Sequence, residues 1–125
     1  AEIAEVSVEN GKIRVHKVTC VLDCGQAVNP DIVRSQIEGG VIYGLTATLY
    51  GELNLERGAI KESNFHDYPM LRMNESPEIE VVIIDSGTKP TGVGEPGLPP
   101  IAPAVANAVY KATGQRLRSL PLQLA

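Results

Sequence analysis

The first part of the chain alternates between apolar and polar positions in two runs separated by a turn signal. The apolar positions, with the intervening dipeptide, are Ile3, Val6, Val8, then Asn10-Gly11, then Ile13, Val15 and Val18. Alternation is typical of a half-buried strand, and Asn-Gly between two such runs is the strongest short-range signal for a hairpin. The pattern predicts a β-hairpin over residues 2–23.

The next segment has the periodicity of a helix. Asn29 suits the N-cap, and Pro30 suits the first helical position, where its missing N–H costs nothing. The subsequent apolar residues recur every four positions and so form one stripe, which consists of Val33, Ile37, Val41 and Leu45. We predict a helix that begins after Asn29, ends near Tyr50 and buries this stripe.

A neighbouring face of the predicted helix is unusually rich in glycine. Gly39, Gly40 and Gly44 each cost about 1 kcal/mol relative to alanine, so something must offset roughly 3 kcal/mol. One explanation is that another backbone or a bulky ligand approaches this face closely. The other is tight packing against a neighbouring helix or sheet, and the glycines alone leave both open.

Weaker signals occur in the middle of the chain. Residues 52–62 resemble a second hairpin with Gly58 at its turn, and residues 78–84 have the apolar character of a half or fully buried strand. Residues 64–69 are predicted to be a loop, because proline and the residue before it resist helix formation.

A stretch dense in glycine and proline runs from Pro90 to Pro103 and leads into a predicted helix at Ala104–Ala112, for which Gly114 suits the C-cap. An irregular stretch of this length is uncommon inside a compact domain, and such loops are more often functional than incidental. Together the elements predict an α+β fold with an N-terminal hairpin, a glycine-containing helix, further strands, a Gly/Pro-rich loop and a C-terminal helix.

Composition narrows the possible classes of protein. The chain has 125 residues, of which 43% are hydrophobic and 21% charged, as in a compact domain with one core. Its net charge is −4 and its basic residues are scattered, which argues against nucleic-acid binding. No apolar run approaches the roughly 20 residues needed to span a bilayer. The chain is therefore expected to be soluble, with the bacterial cytoplasm and periplasm both open.

Candidate metal and redox residues are few. Cys20 and Cys24 cannot by themselves complete a tetrahedral zinc site or an iron–sulfur cluster, and we expect them to be buried structural thiols. His16 and His66 lack a second histidine at metal-ligand spacing and are interpreted as surface or packing residues. No metal-ligating residue is predicted.

Glu95, in the loop Gly92–Gly97, is the candidate for catalysis. The glycines remove bulky neighbours, so its carboxylate could face a cavity. Apolar residues such as Val93, Leu98 and Ile101 would desolvate the carboxylate and make it a better base near neutral pH. The alternative is that Glu95 satisfies free N–H groups at the start of the following helix, and its local sequence leaves both open.

Three segments in this order resemble a known family: Val21–Pro30, Gln36–Gly40 and Gly92–Pro96. They are similar to the C-terminal end of the molybdenum-binding large subunit of the xanthine oxidase, or molybdenum hydroxylase, family. Asn64–Tyr68 and Pro99–Ala104 favour the branch that contains isoquinoline 1-oxidoreductase beta subunits and related aldehyde dehydrogenases. The resemblance covers nearly the whole chain.

The resemblance implies roles for individual residues. In that family the Glu of the Gly-x-Gly-Glu-Pro segment is the base that deprotonates a hydroxyl on the molybdenum, and this role maps onto Glu95. The Gln of the Gln-x-Glu-Gly-Gly segment contacts the pterin cofactor and maps onto Gln36. Gly39, Gly40 and Gly94 are then expected to bring the backbone close to the cofactor.

The resemblance also implies a larger protein. Residues 1–125 would be the C-terminal segment of a molybdopterin-binding domain of the aldehyde oxidase/xanthine dehydrogenase type, joined to an N-terminal remainder of the large subunit. The implied cofactor is molybdopterin cytosine dinucleotide with molybdenum, and 2Fe–2S clusters would lie on a small partner subunit.

The implied reaction is oxidative hydroxylation of an N-heteroaromatic such as isoquinoline, or of an aldehyde. The isolated chain is expected to be inactive and to carry no cofactor. The alternative from a different class is a small non-catalytic binding or assembly module, in which the Gly/Pro loop is only architectural.

Overall fold

The computed structural model describes residues 1–124 and has α+β architecture. Its elements in chain order are β1 (Glu2–Glu9), β2 (Lys12–Asp23), α1 (Pro30–Leu49), β3 (Leu55–Glu56), β4 (Ala59–Ile60), a 3₁₀ helix (Met73–Glu75), β5 (Glu78–Ile84) and α2 (Ile101–Thr113). Strands β1, β2 and β5 form one sheet in the order β1-β2-β5, while β3 and β4 pair separately. One core, built from both helices and the three-stranded sheet, contains the fully buried residues Val18, Ile37, Val41, Leu45, Ile101, Val105 and Val109.

The predicted N-terminal hairpin is confirmed. Strands β1 and β2 are antiparallel, and the turn between them places Asn10 at φ 51° and Gly11 at φ 75°, the paired positive angles of a type I′ turn. The register shifts between Val6↔Val15 and Glu5↔Lys17, which leaves one extra residue in β2. This bulge explains why apolar residues three apart in β2 both face the core.

Helix α1 is also confirmed, together with its cap. The Asn29 side chain accepts hydrogen bonds from the backbone N–H groups of Asp31 and Ile32, each at 3.1 Å. The predicted stripe from Val33 to Leu45 is buried at all four positions. The helix therefore presents one apolar face to the core and leaves the glycine-rich face for other contacts.

The predicted strand at residues 78–84 is β5, which pairs in parallel with β2. It lies at the edge of the sheet, and its residues alternate between exposed and half-buried. Val82, on the exposed face, is 42% exposed. The second hairpin is shorter than residues 52–62 suggest: β3 and β4 have two residues each, joined through Arg57 and Gly58, which both have positive φ. Residues 64–69 form a loop, as predicted.

The predicted start of the C-terminal helix is wrong by three residues. Helix α2 begins at Ile101, not Ala104, because Pro103 lies in its first turn, where a backbone N–H has no partner within the helix. The irregular segment is therefore 85–100. Gly114 is the C-cap, as predicted, with φ 77° and its N–H donated to the Tyr110 carbonyl.

Both cysteines are buried, which confirms that part of the prediction, and both are free thiols. Burial, with the nearby Glu2 carboxylate, raises the pKa of Cys20 to about 11. His16 and His66 are exposed, as expected for surface histidines. Neither helix of the described chain combines the length and apolar character needed to cross a membrane.

Candidate functional site

The parallel pairing of β2 with β5 brings the loops after these two strands together. The pairing continues past the strand ends, because Gln26 N–H donates to the Thr88 carbonyl at 3.0 Å and Thr91 N–H donates to the Cys24 carbonyl at 2.9 Å. Beyond Thr91 the chain enters Gly92–Gly97, hereafter the Glu95 loop. The loop thus starts at the carboxyl ends of parallel strands, where open sheets commonly bind ligands.

The far end of the Glu95 loop rests on helix α1. Gly97 is buried, and a Cβ atom at this position would lie 2.7 Å from the Ile37 carbonyl oxygen. A Cβ at Gly40 would in turn lie 3.4 Å from the Gly97 backbone. Only glycine permits so close an approach at position 97, so the loop is fixed against the α1 backbone.

Glu95 itself is exposed between these two anchors. Within residues 1–124 its carboxylate forms no hydrogen bond or salt bridge, and no side chain caps the start of α2. The alternative that Glu95 satisfies N–H groups of that helix is therefore wrong. Its backbone carbonyl accepts the Leu98 N–H at 2.9 Å, which closes a turn and leaves the carboxylate free.

The expected apolar enclosure of Glu95 is not formed by the part of the chain that the structure describes. Ile101 is fully buried in the core, and Leu98 is 38% exposed. These side chains therefore leave the carboxylate open to solvent. Any desolvation of Glu95 has to come from groups outside the described residues.

An open depression of about 460 Å³ lies at the Glu95 loop, lined by Gly92, Gly94, Glu95, Pro96 and Pro99. A Cβ at Gly92 or Gly94 would meet no atom within 4 Å, and neither residue has a positive φ. Neither packing nor backbone conformation within residues 1–124 therefore requires glycine at these two positions. Their effect is to expose bare backbone beside Glu95.

The three glycines of α1 have different surroundings. A Cβ at Gly44 would lie 2.5 Å from Ile101 Cγ2 and 3.1 Å from the Leu98 carbonyl oxygen, so tight packing accounts for this residue. Gly40 is in contact with the Glu95 loop through Gly97. A Cβ at Gly39, by contrast, would meet nothing within 4 Å, so packing leaves this glycine unexplained.

Gln36 is exposed on α1, one turn before Gly40 and thus on the same face. The contact between Gly40 and Gly97 brings this face to the Glu95 loop, although no hydrogen bond joins Gln36 to Glu95 within residues 1–124. The predicted site residues thus lie on two adjoining segments. Tyr43, farther along α1, is 68% exposed.

The sequence does not predict the residues that join the loop after β2 to the loop after β5. At the end of β2, Asp23 Oδ1 accepts hydrogen bonds from Gly25 N–H at 2.9 Å and from Ser86 Oγ at 2.8 Å. Both hydrogen bonds lower the pKa of Asp23, and the bond from Gly25 has the larger effect. The Asp-Cys-Gly sequence predicts the end of a strand, but no local pattern predicts that Ser86 contacts Asp23.

Volume alone does not single out this site. A depression of about 470 Å³ lies between β1 and α2, and one of about 630 Å³ lies beside Tyr50. The Glu95 loop is selected by its free carboxylate and bare backbone. Among residues 1–124, no cluster of side chains could hold a metal ion directly.

Comparisons with known proteins identify the family to which the chain belongs. The family model of the molybdopterin cofactor-binding domain matches residues 1–77. The chain is 45% identical over 113 residues to the isoquinoline 1-oxidoreductase subunit beta of Brevundimonas diminuta, an alignment that covers 90% of this chain and 14% of the relative. It is 34% identical over 125 residues to a membrane-bound aldehyde dehydrogenase (pyrroloquinoline-quinone) of Gluconacetobacter polyoxogenes, covering 98% of this chain and 16% of that protein.

Solved structures share the fold. The aldehyde oxidoreductase from Desulfovibrio desulfuricans ATCC 27774 superposes with a TM-score of 0.83 at 32% identity, covering 94% of this chain and 14% of that chain. The protein is therefore an α+β domain of the type found in molybdenum enzymes. The chain belongs to the molybdopterin cofactor-binding domain family, which confirms the family prediction.

Family membership does not by itself assign a role to Glu95. The chain spans only 14% of the length of the isoquinoline 1-oxidoreductase subunit and 16% of the length of the aldehyde dehydrogenase. Glu95 lies outside residues 1–77, which the family model matches. Neither the role of Glu95 nor the activity of a larger protein therefore follows from family membership.

Proposed function

We propose that this chain is the C-terminal segment of the catalytic subunit of a molybdenum hydroxylase and that Glu95 is its general base. The observation that carries the proposal is the free carboxylate of Glu95, which is exposed beside bare glycine backbone in a loop anchored at both ends. Membership of a molybdopterin-binding family supplies the context. In a binding or assembly module, nothing would require bare backbone at Gly92 and Gly94, where neither packing nor backbone conformation calls for glycine.

The exposed glycine backbone fits a large, flat cofactor. Gly39 and Gly94 have open space where a Cβ would lie, so a pterin could approach the backbone at both positions. The Gln36 side chain can donate and accept hydrogen bonds at the same surface. We propose Gln36, Gly39, Gly40 and Gly94 as the cofactor contacts of this chain, in an enzyme that uses the cytosine dinucleotide form.

The cofactor and this chain would contribute different parts of the reaction. The molybdenum cofactor, when bound, supplies the redox chemistry of hydroxylation by accepting electrons from the substrate. Glu95 contributes a carboxylate oxygen that accepts a proton, and the anchors at Thr91 and Gly97 restrain the loop that carries it. A base of this kind typically contributes 10²–10⁴-fold to the rate.

The chain alone lacks the rest of the site. Glu95 is exposed here, and we propose that the walls that exclude water and select a substrate come from an N-terminal remainder of the subunit. We propose that a small subunit with 2Fe–2S clusters accepts the electrons. The substrate is proposed to be an N-heteroaromatic such as isoquinoline or an aldehyde, the classes named in the relatives, and the isolated chain is proposed to be inactive.

Replacing Glu95 in the complete enzyme tests the proposal. Glu95→Gln keeps the shape of the side chain but removes its basicity, so molybdenum content should be unchanged while turnover falls by about 10²-fold or more. Glu56→Gln is a suitable control, because Glu56 is exposed in the β3–β4 hairpin and should have no effect. The assay measures turnover with a heteroaromatic and aldehyde panel, and metal content by mass spectrometry.

Near wild-type turnover of the Glu95→Gln enzyme would exclude the proposed base. Extraction of the organic cofactor provides a second check, since the name of one relative includes pyrroloquinoline-quinone. Finding that quinone without molybdenum in the active enzyme would overturn the cofactor assignment.

A further inference from the structure

The hydrogen bonds at the end of β2 connect directly to the start of the Glu95 loop. Asp23 Oδ1 accepts from both Gly25 N–H and Ser86 Oγ, and Ser86 Oγ also lies 3.0 Å from Thr88 Oγ1. One carboxylate oxygen therefore joins the loop after β2 to the loop after β5. We call Asp23, Gly25, Ser86 and Thr88 the Asp23 cluster.

The backbone around the Asp23 cluster is closely packed. Gly25 has φ +69°, and a Cβ there would lie 2.3 Å from the Lys89 carbonyl oxygen, so the two loops are in direct contact. The hydrogen bond from Thr91 N–H to the Cys24 carbonyl comes immediately after. Only three residues then separate Thr91 from Glu95.

No comparable restraint is present within those three residues. Gly92 and Gly94 have no neighbours in the Cβ direction, and Val93 is only half-buried. The position of the Glu95 backbone therefore depends on the anchor at Thr91 on one side and the anchor at Gly97 on the other. The Asp23 cluster adjoins the first of these anchors.

We propose that Asp23 is a positioning residue for Glu95, acting through Ser86 and the Thr91–Cys24 hydrogen bond. The inference rests on the proposed role of Glu95 as a base. Asp23 is exposed at the strand end and is not required to fill the core, so its hydrogen bonds act on the loop. The ionised form of Asp23 strengthens both hydrogen bonds, because a charged acceptor binds donors more tightly than a neutral one.

The test uses three variants of the complete enzyme. Asp23→Ala removes both hydrogen bonds, whereas Asp23→Asn keeps an acceptor oxygen at the same position. Asp85→Ala is the matched control: Asp85 is exposed in the same irregular segment, and its Oδ1 accepts only a local bond from Gly87 N–H at 3.2 Å.

We expect Asp23→Ala to lower kcat by about 10- to 100-fold, since small displacements of a catalytic group cost rate on this scale. Substrate KM and molybdenum content should change less than about twofold, because the walls and the cofactor contacts are elsewhere. Asp23→Asn should restore most of kcat, and Asp85→Ala should match the wild type. Hydrogen exchange of the peptide that spans the Glu95 loop should accelerate in Asp23→Ala but not in Asp85→Ala.

The outcomes separate the two proposals. A wild-type kcat in Asp23→Ala, with Glu95→Gln inactive, would overturn the positioning role and leave the base intact. Loss of molybdenum or of thermal stability in proportion to the loss of kcat would show a purely structural role, which also overturns the inference. An active Glu95→Gln enzyme would instead refute the role of Glu95 as the base. Faster exchange in the loop of Asp23→Ala would still support the restraint by Asp23, because exchange is measured independently of turnover.

Discussion

Alanine at Gly39 and at Gly44 should have opposite effects on the stability of the chain. Both residues lie inside α1, so each substitution gains about 1 kcal/mol of helix propensity. At Gly39 the added Cβ meets no atom within 4 Å, so nothing opposes this gain. Gly39→Ala should therefore stabilise the cofactor-free chain by about 1 kcal/mol.

At Gly44 the new methyl group has no room. It would lie 2.5 Å from Ile101 Cγ2, a fully buried β-branched side chain, and 3.1 Å from the backbone oxygen of Leu98. Overpacking of this kind costs typically 1–3 kcal/mol. After the propensity gain is subtracted, Gly44→Ala should destabilise by about 1 kcal/mol, which leaves the two variants about 2 kcal/mol apart.

Urea unfolding followed by circular dichroism measures this difference, and a melting temperature shift of about 3–5 °C per kcal/mol provides a second measure. The comparison is robust because both changes replace glycine by alanine in one helix, so their effects on the unfolded chain are alike. Destabilisation by Gly39→Ala in the cofactor-free chain would refute the packing argument.

The Gly39→Ala variant also tests the proposed cofactor contact. If the pterin lies against Gly39, a methyl group there occupies its space. The complete Gly39→Ala enzyme should then contain less molybdenum although its polypeptide is more stable. Full molybdenum content together with full turnover would show that Gly39 is not a cofactor contact.

Two further predictions concern local structure. Asn29→Ala removes the acceptor for two backbone N–H groups and should destabilise the chain by about 1 kcal/mol, as measured by urea unfolding; an unchanged midpoint would contradict the cap. Hydrogen bonds from the backbone N–H groups of Asn64 and Ser63 lower the pKa of Asp67 from its ordinary 3.8 to about 2. Its stabilisation of the loop is present above pH 3.8 and should be lost as the pH falls through about 2. The Ser63 amide NMR shift should titrate there in the wild type but not in Asp67→Asn.

Local patterns were sufficient where one segment contains its own partners. The hairpin turn needs only the positive φ angles that Asn10 and Gly11 adopt at low cost, and α1 needs only its cap and a stripe at helical spacing. These elements were therefore predictable to within a residue or two. The sequence misplaces the start of α2 because Pro103 resembles the end of the preceding Gly/Pro-rich loop, although proline is compatible with a first helical turn.

Contacts between distant segments could not be predicted in the same way. The glycines of α1 look alike in the sequence, yet Gly44 packs against α2 while Gly39 faces open space. The bond from Ser86 to Asp23 spans 63 positions and has no local signal. The surroundings of the glycines depend on how α2 packs against α1, and the Ser86–Asp23 bond depends on the pairing of β2 with β5. Both are properties of the assembled core.

The sequence by itself predicted most of the secondary structure, because hairpin turns, helix caps and apolar periodicity are short-range patterns. The family resemblance and the candidate role of Glu95 came from three motifs in a fixed order along the chain. The tertiary structure decided that the Glu95 carboxylate is unpartnered within residues 1–124, that its loop is anchored at Thr91 and Gly97, and that Asp23 joins the two strand ends. The physical reason is that hydrogen bonds and steric contacts between segments exist only once parallel pairing of β2 with β5 has brought their ends together.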